Sequence, residues 1–180
     1  MNNNDQRIRI LRDVEANMVP SGDKVTLAEG NLVQITQSLG GNHTVIINGN
    51  MAQIGAEDAG ALGLKIEEKQ TYQPNSNFSE QLVWDQLKTC YDPEIPVNIV
   101  ELGLIYDLSI QDTKDKEKKV TIMMTLTAPG CGMGPVIADE VERKVGAINN
   151  VQSVKVELVW EPQWNQAMMS EAAQLELGMF

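Results

Sequence analysis

Between Val120 and Trp160 the apolar residues change period twice, and this restricts the fold more than any other feature of the chain. Val120, Ile122, Met124 and Leu126 alternate with Thr121, Met123, Thr125 and Thr127, the period of a strand with one buried face. Ile137, Val141, Val145 and Ile148 then recur at the spacing of a helix stripe. Pro135 suits the first position of that helix, and Asn149-Asn150 stops it. Val154, Val156, Leu158 and Trp160 return to period two. Upstream, Val100, Leu102, Leu104, Tyr106, Leu108 and Ile110 predict another strand, and the charged turn 114–119 follows it. Ser79, or Asn77 with Glu80, can cap a helix whose Phe78, Leu82 and Leu87 share one face, and Pro93 ends it. The order is αββαβ, a sheet with both helices packed on it, and residues 166–177 read as a terminal helix. The fold class expected for the whole chain is α+β.

Before residue 65 the rhythm is different. Short β-prone runs such as Leu32-Val33-Gln34-Ile35-Thr36-Gln37 and Thr44-Val45-Ile46-Ile47 are separated by close turns, and Asn48-Gly49 is a strong hairpin signal. Strands this short with turns this close suggest a small β-barrel-like domain of the SH3 type. Residues 57–62 read as one helical turn. The polar stretch 65–77, with Pro74, reads as a linker. The expected division is therefore a β-rich domain over 1–65, a linker over 66–78 and an α/β domain over 79–180. About 65 residues make a marginal core alone.

The charge excludes some partners. The 180 residues carry a net charge of −11, with 16 acidic against 8 basic residues from Ser79 onward. No basic patch stands out, which argues against nucleic acid or an anionic membrane surface as the main partner. No apolar run approaches the ~18 residues of a membrane span, and the opening Met1-Asn2-Asn3-Asn4-Asp5 lacks the regions of a secretory signal. A cytoplasmic location is the expectation.

Cys90 and Cys131 are the two cysteines, 41 positions apart. In a chain of cytosolic character a disulfide is the weaker reading. Four thiolates cannot come from one chain, so a Cys₄ site within a monomer is excluded. Cys131 lies in the loop Ala128-Pro129-Gly130-Cys131-Gly132-Met133-Gly134, just before a helix. Main-chain N–H groups and the helix dipole favour an anion at such a place, a setting for a reactive thiol. The plainer reading is a tight turn with a small filler. Met133 adds a short Cys-x-Met pattern of a kind that suits Cu(I). Asp92-Pro93-Glu94-Ile95-Pro96 is a rigid acidic turn, in which Asp92 and Glu94 could act as hard ligands or as a base. Cys90 is expected on the last turn of the first helix as buried filler. His43, beside a hairpin turn, is expected at the surface.

The run Tyr91-Asp92-Pro93-Glu94-Ile95-Pro96-Val97-Asn98-Ile99-Val100-Glu101-Leu102-Gly103-Leu104-Ile105-Tyr106-Asp107 closely resembles the signature of the metal–sulfur cluster assembly domain of the MIP-eighteen type. Thr125-Leu126-Thr127-Ala128-Pro129-Gly130-Cys131 resembles its second signature. Trp160-Glu161-Pro162-Gln163-Trp164 and the tail to Gly178 resemble the family's ending, and residues 20–41 resemble the extension of its longer bacterial form. The resemblance implies an α/β domain that helps to mature iron–sulfur proteins, with Asp92, Glu94, Thr127 and Cys131 as its motif positions. Gly132 stands where the family loop often has proline, which gives the loop more freedom. The leading expectation is a binding and transfer factor holding iron or a labile iron–sulfur cluster at Cys131. One thiolate is too few for a cluster, so the rest would come from a homodimer, an outside thiol, or carboxylates such as Asp92 and Glu94. The alternatives are a metal-free adaptor for assembly proteins and apo-clients and, last, an enzyme with Cys131 as nucleophile. No neighbouring general base is evident for the last, and the chain is expected not to be an enzyme.

Overall fold

The computed structural model describes residues 7–66 and 77–179. The chain divides into two compact units, Met1–Lys69 with Pro93–Pro96, and Gln70–Asp92 with Val97–Phe180. Most of the polar stretch read as a linker lies outside the described residues.

Among the described residues the first unit holds six strands: β1 (Arg7–Arg9), β2 (Val14–Val19), β3 (Lys24–Leu27), β4 (Leu32–Leu39), β5 (Asn42–Ile47) and β6 (Asn50–Ile54). All pairings between them are antiparallel, in the order β1-β4-β5-β6-β2-β3. Asn48 and Gly49 both have positive φ, 50° and 80°, as the two-residue turn between β5 and β6 demands. Alternating residues fill one core, including Ile10, Val14, Val33, Val45 and Ile54, and a 3-10 helix over Ala56–Leu62 adds Ala61 and Leu62 to it. The expected barrel closure is not seen: among the described residues β1 and β3 are the sheet's two ends and do not pair. His43 departs from expectation as well. It is 9% exposed on β5, with Nδ1 2.8 Å from Ser38 Oγ. The hairpin pairs Ser38 with His43 across β4 and β5, which turns the ring inward beside a hydroxyl instead of into solvent.

In the second unit the order αββαβ holds. Helix α1 (Glu80–Leu87) begins at Ser79, whose Oγ accepts from Leu82 N at 3.4 Å. Strand β7 (Ile105–Asp112) pairs antiparallel with β8 (Lys118–Met124). Helix α2 (Gly134–Gly146) leads to β9 (Val151–Leu158), which pairs parallel with β8. Val120, Ile122 and Met124 are buried on one face of β8, and Ile137, Val141 and Val145 on α2. Val83 and Leu87 of α1 are fully buried, and Lys144 of α2 ties the helices by donating to Thr89 O at 2.7 Å.

The strand expected from Val100 starts only at Ile105. Asn98 is the reason. Its Oδ1 accepts from Val100 N and Glu101 N at 3.0 and 2.9 Å, and Leu102 N donates to Asn98 O at 3.0 Å. Those bonds wind the backbone into a turn. Leu102 and Leu104 are buried by that turn, not by a strand. Gly103 has φ 74°, and a Cβ there would collide with the Met168 carbonyl. The tail is fastened over this turn: Trp164 Nε1 donates to Leu102 O at 2.8 Å, Ser170 N to Glu101 O at 2.9 Å, and Tyr106 OH to Pro162 O at 2.6 Å. The expected terminal helix is broken into a 3-10 turn (Gln166–Met168) and helix α3 (Glu171–Glu176). Asn165 and Ser170 each cap a separate start, and extended Met169 divides them. Among the described residues no helix is long and apolar enough to cross a membrane.

Candidate functional site

The β8–α2 connection is built with an anchored floor and an open rim. After β8, Thr125 N donates to Leu104 O at 2.8 Å, holding the chain against the Asn98 turn. Thr125 and Leu126 are buried, Thr127 is half-buried, and Ala128, Pro129 and Gly130 are exposed. Gly130 has φ 75°, a conformation glycine adopts without strain. Cys131 N then donates to Ala128 O at 3.4 Å, and Gly134 N to Cys131 O at 3.2 Å. Met133 is fully buried and precedes the helix, with Pro135 in its first turn. Gly134 packs so closely that an added Cβ would lie 2.7 Å from Leu126 Cδ1 and 3.3 Å from Leu158 Cδ1. Met133 is thus packed into the core under the loop, while Cys131 stands partly exposed above it. The anion-binding expectation is narrowed. Cys131 and Gly134 have their N–H groups committed to turn carbonyls, and Pro135 has none.

The cysteine itself is free and partly exposed. Thr127 opens with Thr125 and Pro129 onto a cleft of about 180 Å³, whose other wall is Trp160, Glu161 and Trp164. Trp160 is 43% exposed, while Trp164 is half-buried and held by its indole N–H on Leu102 O. Among the described residues, Glu161 is the one charged group lining the cleft. The sequence alone gives no sign that the tail lines this cleft. Nothing local marks it: Trp160 to Trp164 reach it because the chain returns over the Asn98 turn.

Asp92 is buried, and Glu94 is exposed. Asp92 ends a stretch of the second unit, whereas Glu94 groups with the first. Thr127 and Cys131 share one connection. Among the described residues no group of three or more His, Cys, Asp or Glu side chains could hold a metal ion. Among the described residues, the donors around Cys131 do not by themselves make up a metal centre.

Cys90 contrasts with Cys131. It lies two residues past the α1 C-cap Lys88, slightly beyond the expected last turn, because Cys90 N continues the helix only through a bond to Leu87 O. It is 0% exposed and its Sγ lies 3.7 Å from Gln86 O. Burial, with the Glu140 carboxylate second, pushes its thiol up to about 12, while Lys144 and Arg143 partly oppose this.

Residues 80–158 match the family model of the iron-sulfur cluster assembly protein. An Fe-S protein maturation auxiliary factor of Porphyromonas gingivalis is 46% identical over 106 residues, 58% of this chain and 97% of that one. The Fe-S protein maturation auxiliary factor SufT of Staphylococcus aureus is 42% identical over 88 residues, 49% of this chain and 96% of that one. Its counterpart YitW of Bacillus subtilis is 39% identical over 93 residues, 52% of this chain and 87% of that one. With nearly the full length of these relatives matched at such identity, the chain belongs to the iron-sulfur cluster assembly protein family.

Proposed function

We propose that this protein is an accessory factor in the maturation of iron–sulfur proteins, and that Cys131 is its working thiol. The names of its relatives support the pathway. The observation that carries the residue is the contrast in presentation: Cys131 stands partly exposed on an anchored loop, while the other thiol is sealed. The thiol supplies one ligand to iron or a labile cluster in transit, and the donor or receiving protein supplies the others. Thr127 lines the neighbouring cleft, where a docked partner would meet it. Asp92 and Glu94 shape the acidic turn that partners recognise. The partners are assembly proteins and apo-clients in the cytoplasm, and the role is transfer without catalysis.

A metal-free adaptor is the second reading, favoured by the lack of a three-ligand set among the described residues. Isolation under strict anaerobiosis separates the two. Iron recovered with the wild-type protein and lost with Cys131→Ala supports transfer. Equal iron in both, or none in either after incubation with a cluster-loaded donor, supports the adaptor.

A further inference from the structure

Among the described residues, strand β9 is an end strand of its sheet, paired only with β8. An end strand offers a row of main-chain groups to another strand, and natural proteins usually guard it. Here the guard is visible: Val156 N donates to Glu142 Oε1 of α2 at 3.2 Å. That bond also fixes directions. Val156 N–H points away from β8, so in a regular strand the N–H groups of Val154 and Leu158 do too. Beside this edge, an open groove of about 480 Å³ runs between α2 and β9, lined by Asp139, Glu142, Arg143 and Gly146 on the helix side.

We propose that the β9 edge is a self-association surface, on which a second copy of this chain pairs antiparallel about Val156. The edge is complementary in charge to a second copy of itself. Lys155 and Glu157 flank Val156 on the solvent face, bonded to each other at 2.5 Å and 72% and 40% exposed. A two-fold axis at Val156 sets Lys155 opposite the partner's Glu157, and Glu157 opposite the partner's Lys155. Because Val156 carries the outward main-chain groups, those two pairs fall at the non-hydrogen-bonded positions, where Cα atoms approach to about 4.5 Å and side chains meet closely. The helix repeats the symmetry. Asp139 and Arg143 are exposed one turn apart on α2, centred on Val141. An antiparallel α2 presents each to its opposite. The Glu142–Val156 bond shows that the helix centre and the strand centre lie at one level, so a single axis serves both.

Two consequences follow from this geometry. Glu142 must release Val156 N–H before a second strand can take it, so Glu142 opposes association. The α2 starts are also kept apart. Gly134 is seven residues from Val141, about 10 Å along the axis, so two antiparallel copies hold their helix starts about 20 Å apart. This dimer therefore does not gather two Cys131 thiols on one cluster.

Sedimentation equilibrium of the full chain at about 1 to about 200 μM, the range in which micromolar dimers dissociate, tests the surface. The wild type is expected to dimerise. Lys155→Glu or Glu157→Lys alone should weaken the dimer about tenfold, since two attractive cross-strand pairs become repulsive. The double swap should restore it, and Glu142→Ala should tighten it. A denaturant midpoint for each variant confirms that it is folded. A nitroxide on Cys131 should report separations near or beyond about 20 Å in the dimer. A wild type that stays monomeric throughout, single variants that dimerise like wild type, a double swap without restoration, or a label distance well below that value would each overturn the proposal.

Discussion

The regions around Cys90 and Cys131 place one residue type in opposite circumstances. Cys90 follows α1 and lies under α2, where the Glu140–Lys144 ion pair at 2.9 Å and the Lys144 bond to Thr89 O close over it. Cys131 precedes α2 on a loop whose floor is packed and whose rim is open. The same helix thus buries one thiol near its C-terminal half and presents the other at its start. Presence of a cysteine says little; the burial of its neighbours decides whether sulfur fills space or does chemistry.

The largest expected difference is in reactivity. A thiol moved from 9.0 to about 12 has roughly a thousandfold less thiolate at pH 8 than an unperturbed one. Iodoacetamide should therefore label partly exposed Cys131 far faster than Cys90 in the folded protein, because Cys90 has its thiolate suppressed by burial and also needs local opening. Mass spectrometry of peptides over time measures the ratio. Equal rates, or faster Cys90, would break the comparison.

Next comes pH. Cys90 has a folded pKa above its unfolded one, so folding holds the proton more tightly. Its contribution is fully present below pH 9 and is lost as pH rises towards 12. In that window stability should fall by about 1.4 kcal/mol per unit from this group alone. Urea midpoints of wild type and Cys90→Ala isolate it: the wild type should show the extra slope and the variant should not. Parallel slopes would mean that Cys90 is less sealed than its burial indicates.

The two regions also differed in how far the sequence revealed them. Helix α2, β8 and β9 were legible because each buries one face on the other, and burial writes period two or 3.6 directly into the residues. The loop with Cys131 was legible because glycine and proline mark it. The Asn98 turn was not. Leu102 and Leu104 alternate like a strand, but one side-chain oxygen on Asn98 captures two N–H groups and overrides the pattern. His43 was misread for a related reason: its burial depends on a cross-strand neighbour, Ser38. The cleft wall of Trp160 and Trp164 depends on contacts some sixty residues distant, which no local pattern records.

A third test addresses the floor under Cys131. Gly134→Ala drives a methyl against the Leu126 and Leu158 side chains. Both are flexible at their ends, so the cost should be that of modest overpacking, about 1–3 kcal/mol. Chemical denaturation measures it. No loss would show that the floor yields freely and that the loop is held by its turns instead.

The smallest stability effect is expected at Cys131 itself. The loop takes its shape from the Cys131 N–H bond to Ala128 O, the left-handed Gly130, buried Met133 and tight Gly134, none of which uses the sulfur. Cys131→Ala should therefore change stability by no more than ~0.5 kcal/mol, as at other exposed positions. Client maturation should nevertheless collapse if the thiol carries cargo. The paired measurement is the denaturant midpoint and the activity of an iron–sulfur enzyme in cells lacking the wild-type protein, with the variant at equal abundance. Normal enzyme activity would refute a thiol-dependent role and leave the acidic surface to do the work as an adaptor. Lost activity at unchanged stability would assign function to the sulfur, since nothing else in the loop has changed. Cys90→Ala is the matching control: it removes a sulfur of the same size from a sealed site, so any loss of activity there should track lost stability.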